Sequence, residues 1–217
     1  TVKHMLGLKC IHDIVVNAME YLHIDVPVAL HLDHGTSREA CEAAIAAGFS
    51  SIMFDGSHLP FRENLAITRH LVTLAHSKGI SVEAELGIIA GSEDGIVNSE
   101  VIYADPQECY TLVTETQVDC LAAALGSTHG LYKGKARLGF TEMKAIAEQV
   151  KVPLVLHGGT GIADEDMRRA IACGTAKINV NTENMYAWCQ QVKAIFAADT
   201  GHDVNDPRKV IAQEIGR

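Results

Sequence analysis

Three observations predict an α/β fold, and specifically a (β/α)8 barrel. Short apolar segments alternate with longer amphipathic ones, which is the pattern of parallel strands joined by crossover helices. The apolar segments contain few polar residues, as expected for strands that are covered on both faces. Titratable residues and glycines gather where these segments end, and parallel barrels carry their active sites at the carboxyl ends of their strands.

The predicted elements follow one another in regular alternation. Strands are predicted over residues 26–33, 50–55, 80–86, 118–126, 152–157 and 177–181. Helices are predicted over residues 10–22, 37–48, 62–79, 105–116, 141–150, 164–174 and 183–198. Ser37 and Gly48 are typical of the start and end of a helix, and Pro106 suits a first helical turn.

Polar groups end all six predicted strands, and only a closed sheet brings six strand ends around one axis. A complete barrel has eight strands, and many barrels bind phosphate at the loops after strands 7 and 8. The Gly- and Asn-rich loops at 157–161 and 179–182 follow the last two predicted strands. We therefore expect a single barrel domain over residues 1–217 whose first two βα units precede Thr1. The helix at 10–22 would then follow strand 2.

Composition excludes several classes of partner. The chain has 217 residues, of which 47% are hydrophobic, and a net charge of −9. Without a basic run, this charge argues against nucleic acid and anionic membranes as partners. The sequence contains no apolar run of about 18 residues, so no membrane span is predicted. The six cysteines form no CxxC pair, which indicates free thiols in a reducing cytoplasm.

Three histidines stand at or just after predicted strand ends, and each is followed by glycine: His34, His129 and His157. Three imidazoles suit a tetrahedral Zn²⁺ with its fourth position open to substrate. The alternative is that each histidine is separately hydrogen-bonded at the rim of the barrel. On a straight strand His34 points away from the face shared by His31 and Asp33, so it reaches the site only if the chain curls inward at Gly35.

Two carboxylates, Asp55 and Glu85, end neighbouring predicted strands. They are expected either to accept hydrogen bonds from metal-binding imidazoles or to bind a second metal position. The alternative is that they are solvated carboxylates at the rim.

Two glycine- or asparagine-rich segments precede helices, HGGTGI at 157–162 and NVNTEN at 179–184. Clusters of backbone N–H groups at helix starts favour phosphate, although ordinary βα turns share this pattern. The connection at 86–106 is long for a compact barrel and is expected to be a lid. Its Glu93 and Asp94 would then carry protons, whereas the alternative is a disordered acidic loop.

Together these segments resemble the class II, zinc-dependent fructose-bisphosphate aldolases, including the tagatose-bisphosphate aldolases. The resemblance spans about residues 26 to 208 and rests on six motifs in order: VALHLDHG, MFDGSH, VEAELG, ALGSTHG, LVLHGGTGI and KINVNTE. One departure is AGSEDG at 90–95, where relatives usually read GGxED.

The resemblance implies roles for individual residues. Asp33 matches the catalytic acid/base, and Glu93 matches a mobile-loop acid of some members. The zinc ligands correspond to His34, His129 and His157, and second or displaced metal positions correspond to Asp55 and Glu85. The substrate phosphate loops correspond to Gly130, Lys133, Gly158, Gly159, Thr160, Asn179, Val180, Asn181 and Thr182. Carbonyl groups of these loops are implied to hold a monovalent cation, Na⁺ or K⁺.

The implied activity is the reversible cleavage of fructose 1,6-bisphosphate in glycolysis by a cytoplasmic homodimer or homotetramer. Cleavage of tagatose 1,6-bisphosphate is the alternative, although HGGTG and NVNTE favour fructose. Three further alternatives are a Schiff-base aldolase using Lys177, a zinc-dependent hydrolase, and a sugar-phosphate binder without activity. Arg208 would contact the distal phosphate or another subunit.

Overall fold

The structure is a computed structural model that describes residues 7–93, 96–98, 101–130, 132 and 134–197. Of residues 92, 93, 96–98, 195 and 196, only the backbone is described. The predictions for Asp94, Lys133 and Arg208 therefore lie outside the described residues.

Helices and strands alternate along most of the described chain. The strands are β1 (His31–Gly35), β2 (Ser51–Phe54), β3 (Ser81–Leu86), β4 (Ala90–Glu93), β5 (Ile96–Asn98), β6 (Cys120–Ala123), β7 (Thr128–His129), β8 (Leu154–Leu156) and β9 (Thr175–Ile178). The helices are α1 (Leu8–Tyr21), α2 (Arg38–Ala47), α3 (Phe61–His76), α4 (Pro106–Thr116), α5 (Phe140–Val150), α6 (Asp164–Ala172) and α7 (Thr182–Ala197).

Local sequence signals explain the bounds of the first and third crossover helices. The Ser37 side chain accepts a hydrogen bond from the backbone N–H of Ala40 at the start of α2, and Gly48 ends that helix in the left-handed conformation. Asp105 caps α4 in the same way, and Pro106 occupies a first-turn position where no N–H is needed.

Six strands form one parallel sheet in the order β1-β2-β3-β6-β8-β9. The sheet is curled, because side chains of its first and last strands meet. Lys177 Nζ on β9 lies 3.4 Å from His31 Nε2 on β1, and Asn179 Nδ2 donates to Asp33 Oδ1 over 3.1 Å. The predicted α/β class is confirmed, and the sheet is consistent with a (β/α)8 barrel that lacks some of its units.

The first strand is shorter than predicted. Residues 26–30 lie outside β1, and pairing with β2 begins at His31 opposite Ser51. Pro27 has no N–H to donate to a strand ladder, and Val26 and Val28 are exposed. An apolar run alone therefore overestimated the length of this strand.

The long connection at 86–106 contains ordered structure in its described part. Strands β4 and β5 form an antiparallel pair, and β4 also pairs with β7, which carries His129. Gly91 on β4 has a φ of 111°, and a Cβ there would lie 2.2 Å from the carbonyl oxygen of His129. Only glycine allows this close approach, which places the predicted lid beside one of the three histidines.

The six cysteines are free thiols, of which Cys41 and Cys109 are buried. None of the helices in the described part of the chain has the length and apolar character needed to cross a lipid bilayer.

Candidate metal and substrate site

A local irregularity at the end of β1 turns His34 into the site. The register with β2 shifts between Leu32 and Gly35, and His34 itself has a φ of 46°, in the left-handed region. The inward turn therefore occurs at His34. The sequence had predicted it one residue later, at Gly35. A left-handed non-glycine residue costs roughly 1–2 kcal/mol, so the surrounding contacts must hold it. Gly35 is needed for packing, since a Cβ there would lie 2.6 Å from Met53 O.

A buried carboxylate orients the His34 ring. Nδ1 of His34 lies 2.9 Å from Asp55 Oδ2 and 3.8 Å from Glu85 Oε2. Asp55 also accepts hydrogen bonds from the N–H and the hydroxyl of Ser57. Burial alone raises the pKa of Asp55, but the hydrogen bonds from His34 and Ser57 outweigh it and lower this pKa to about 2. Asp55 is therefore an ionised acceptor, and Nδ1 of His34 carries the proton.

A second buried carboxylate orients the His157 ring in the same manner. Nε2 of His157 lies 2.8 Å from Glu83 Oε1, and both side chains are 1% exposed. Burial alone raises the pKa of Glu83, but the hydrogen bond and charge of His157, together with Lys177, lower it to about 2. Glu83 therefore only accepts, and Nε2 of His157 is the protonated nitrogen.

These tautomers leave two ring nitrogens for a shared ligand. Nε2 of His34 and Nδ1 of His157 face each other at 2.9 Å. Both carry a lone pair when the rings are neutral, so the pair repels unless a proton or a cation lies between them. His129 completes the group, with its ring centroid 5.0 Å from that of His34 and 5.9 Å from that of His157.

The donor set fits a metal ion. One ligand atom from each of His34, His129 and His157 lies within 4.8 Å of the others, and the same holds for His34, Asp55 and Glu85. Imidazole nitrogens and carboxylates are the ligands that zinc prefers in catalytic sites. The structure thus brings together all five predicted metal-site residues.

Asp33 lies beside this cluster with an exposed side chain. It lines a cavity of about 790 Å³ together with His129 and His157, which is within the usual range for small-molecule sites. Its Oδ1 accepts a hydrogen bond from Asn179 Nδ2, and the same amide nitrogen lies 3.4 Å from Nδ1 of His157. Asn179 therefore connects the predicted acid/base to the histidine cluster.

Most residues of the predicted phosphate loops line the same cavity as Asp33. The cavity-lining members are Gly130, Gly158, Thr160, Asn179, Val180, Asn181 and Thr182. Gly159 does not line the cavity, and its N–H donates to Asn179 O over 2.9 Å, which joins the two loops.

Gly158 and Tyr132 hold the loops after β7 and β8 together. Gly158 has a φ of 65°, and a Cβ there would lie 2.2 Å from Thr128 O. The Tyr132 hydroxyl accepts from the N–H of Thr128 over 3.0 Å and donates to Gly158 O over 2.9 Å. One hydroxyl thus connects strand β7, which carries His129, to the loop that carries His157.

Two predicted residues are described only in part or not at all. The backbone of Glu93 ends β4, next to the strand that carries His129, and its side chain is not described. Lys133 lies outside the described residues. Their roles stay predictions.

Sequence reasoning missed Glu83 and Tyr132. Glu83 precedes Glu85 by two residues on one strand, so both side chains face the barrel interior. That spacing was the available signal. The prediction considered only residues at strand ends, whereas Glu83 lies inside its strand. For Tyr132, no sequence pattern signals its hydroxyl bridge. Lys177 also has a structural partner, because its Nζ lies 2.7 Å from Glu83 Oε2, and this contact disfavours a Schiff-base role.

The curled parallel sheet and the imidazole–carboxylate cluster at its strand ends define the class of metal-dependent barrel enzymes. The family described as fructose-bisphosphate aldolase class-II matches residues 1–216. The chain belongs to this family, which confirms the resemblance drawn from the sequence. Aldolases are carbon–carbon lyases, and the class II family implies a metal.

Curated relatives agree with this assignment. The fructose-bisphosphate aldolase of Geobacillus stearothermophilus is 56% identical over 209 residues, which cover 96% of this chain and 72% of that protein. The fructose-bisphosphate aldolase of Staphylococcus aureus (strain N315) is 53% identical over 209 residues, with the same coverage.

Solved structures show the same fold. The YdjI aldolase from Escherichia coli K12 superimposes with a TM-score of 0.76 at 33% identity, covering 96% of this chain and 72% of that one. The fructose-bisphosphate aldolase from Campylobacter jejuni superimposes with a TM-score of 0.67 at 26% identity, covering 85% of this chain and 62% of that one.

Proposed function

We propose that this protein is a zinc-dependent aldolase that reversibly cleaves fructose 1,6-bisphosphate to dihydroxyacetone phosphate and glyceraldehyde 3-phosphate. The observation that carries the proposal is the 2.9 Å approach of His34 Nε2 and His157 Nδ1 beside Asp33. Both named curated relatives are fructose-bisphosphate aldolases, which favours fructose over tagatose as the sugar.

The three imidazoles are proposed to bind the zinc ion. Asp55 and Glu85 lie near Nδ1 of His34, behind the ring. The difficult step of aldol cleavage is to place negative charge on the carbon beside the ketone. A zinc ion supplies a Lewis acid that stabilises this charge. Asp55 keeps Nδ1 of His34 protonated and the ring oriented, while its position among the possible ligands also suits a second metal position.

Asp33 is proposed to be the general acid/base. Its carboxylate is exposed to the cavity, and the hydrogen bond from Asn179 holds one oxygen in place. It would take the proton of the C4 hydroxyl as the C3–C4 bond breaks, and return this proton during condensation. Glu93, at the end of β4, is proposed to exchange the proton on the carbon beside the ketone.

The two predicted phosphate loops are proposed to bind the phosphate of the triose half of the substrate. Backbone N–H groups of Gly158 and Thr160 and of residues 180–182 would supply the donors near the start of α7. The N–H groups of Gly159 and Asn179 already donate to Asn179 O and Leu156 O, so these two residues would shape the loops instead. Lys133 would add a positive charge, and loop carbonyls would hold Na⁺ or K⁺. Binding energy at this distant group fixes the register of the reacting carbons. We further propose a homodimer or homotetramer.

The test is a coupled assay for triose phosphate with the purified protein. We expect cleavage of fructose 1,6-bisphosphate that a chelator abolishes and added Zn²⁺ restores, with slower turnover of tagatose 1,6-bisphosphate. Faster turnover of tagatose would reassign the substrate. Activity that survives chelation, together with a covalent enzyme–substrate adduct that borohydride traps, would instead identify a Schiff-base enzyme.

A further inference from the structure

Resting on the proposed function, we infer that Glu83 is a positioning residue for that reaction. Together with Lys177, it makes Nδ1 of His157 the metal-binding atom. Glu83 does not line the cavity, and it acts through the His157 ring that it holds.

The two oxygens of Glu83 have separate partners. Oε1 accepts from Nε2 of His157 over 2.8 Å, and Oε2 accepts from Nζ of Lys177 over 2.7 Å. Oε2 also has the Cys120 thiol at 3.7 Å and His31 Nε2 at 3.8 Å. Because both oxygens are engaged and the side chain is 1% exposed, the carboxylate has little freedom to rotate away from His157.

Lys177 lowers the energetic cost of burying this carboxylate. An unpaired charge inside a barrel is strongly unfavourable, and the ammonium group of Lys177 balances it. Glu83 lies on β3, His157 follows β8 and Lys177 lies on β9, so the chain of contacts joins three strands of the sheet. The position of the His157 ring is thereby connected to the strand that leads into the loop at 179–182.

The consequence is a fixed choice between the two ring nitrogens of His157. A carboxylate only accepts hydrogen bonds, so Nε2 must carry the proton and Nδ1 must face His34 Nε2. A neutral amide at position 83 could turn either its oxygen or its NH₂ group toward the ring. Such a change would no longer specify the tautomer, although it would conserve the volume of the side chain.

Glu83→Gln tests this role by metal binding and spectroscopy as well as by rate. We expect the dissociation constant for Zn²⁺ to rise about 10–100-fold. We also expect the visible absorption of the Co²⁺-loaded protein to change, since it reports the ligand field, and kcat to fall with little change in KM. The matched control is Glu115→Gln, which removes a carboxylate paired with Arg69 on the surface and should alter none of these.

A measurement on the unmodified protein keeps the inference testable if Glu83→Gln does not fold. With ¹⁵N-labelled histidine and bound ¹¹³Cd²⁺, scalar coupling identifies which nitrogen of each imidazole binds the metal. We expect His157 to bind through Nδ1 with a proton on Nε2. Binding through Nε2 would overturn the inference.

The outcomes for Glu83 and for the aldolase proposal are separable. If the unmodified protein binds metal and cleaves substrate while a folded Glu83→Gln has the same metal affinity and Co²⁺ spectrum, only the role of Glu83 is wrong. If Glu83→Gln weakens metal binding but the unmodified protein cleaves no sugar bisphosphate, the role of Glu83 is supported and the proposed activity is wrong.

Discussion

The two halves of the candidate site are built by different means. The histidine half comprises His34, His129 and His157 with the carboxylates behind them. The loop half comprises the segments at 158–160 and 179–182. In the histidine half, side chains in or just after different strands hold one another through buried or partly buried hydrogen bonds. In the loop half, a backbone hydrogen bond from Gly159 to Asn179 joins the two segments, and most of the described side chains of α7 beyond them are exposed.

This difference separates two requirements of an aldolase site. Metal ligands must be fixed closely in position and tautomer, which buried carboxylates achieve. A phosphate-binding loop needs N–H groups and close approach of the backbone, which glycine permits. Substitutions in the histidine half should therefore affect metal binding, and substitutions in the loop half should affect KM.

Asp33→Asn should have the largest effect on rate, because Asp33 lies between the two halves and belongs to neither binding function. We expect kcat to fall about 10²–10⁴-fold, while zinc content and the KM for the sugar bisphosphate change little. Steady-state kinetics and metal analysis measure these quantities. Asp164→Asn, at an exposed position in the first turn of α6, is the control. Near-normal turnover of Asp33→Asn would remove Asp33 from the acid/base role.

Asp55→Asn should selectively weaken the histidine half. An amide cannot hold Nδ1 of His34 as an ionised carboxylate does, so we expect the affinity for Zn²⁺ to fall about 10–100-fold. Competition with a chromophoric chelator measures this affinity. Ser57→Ala removes a hydrogen bond to Asp55 but keeps the carboxylate. It should therefore lower the affinity for Zn²⁺ less than Asp55→Asn does. Equal effects of the two substitutions would show that the carboxylate itself does not orient His34.

Tyr132→Phe should selectively weaken the loop half. It deletes the hydroxyl between Thr128 and Gly158, and each net hydrogen bond contributes roughly 0.5–1.5 kcal/mol. We expect KM for the sugar bisphosphate to rise about 2–10-fold, with unchanged zinc affinity. Tyr103→Phe, which deletes a hydroxyl that donates to Arg137 O, is the matched control. A loss of zinc with an unchanged KM would mean that the two halves are not independent.

Thiol labelling compares how accessible and reactive the cysteines beside the two halves are. Burial, together with the nearby Glu83 charge, raises the pKa of the Cys120 thiol to about 12. Cys189 on α7 is exposed. At pH 8 we expect a disulfide reagent to label Cys189 rapidly, and Cys120 only after unfolding, as mapped by peptide mass spectrometry. Rapid labelling of Cys120 in the native protein would show that the histidine half is not tightly packed.

The sequence predicted most of the histidine half because its signals are local. His34, Asp55, Glu85, His129 and His157 all occur at or beside strand ends, and parallel strands bring those ends to one edge. The left-handed turn at His34 could not be predicted, since it depends on contacts with β2 that are made only in the folded sheet. The failed extension of β1 to residue 26 has a related cause, because an apolar run does not reveal whether a partner strand lies alongside it.

The loop half was predicted as a set of segments, but its internal connections were not. Glycine-rich motifs marked the segments at 157–161 and 179–182, and these do line the cavity. The hydrogen bond from Asn179 to Asp33 and the bridge made by Tyr132 join residues that are far apart in the chain or separated by a loop. Such contacts leave no periodic signal, so only the fold reveals them.

Anomalous X-ray diffraction at the zinc edge, on crystals grown with Zn²⁺, is the most direct test of this account. We predict one strong peak bounded by Nε2 of His34, Nδ1 of His157 and a ring nitrogen of His129. A zinc ion bound elsewhere, with these three rings hydrogen-bonded only to protein groups, would contradict the account.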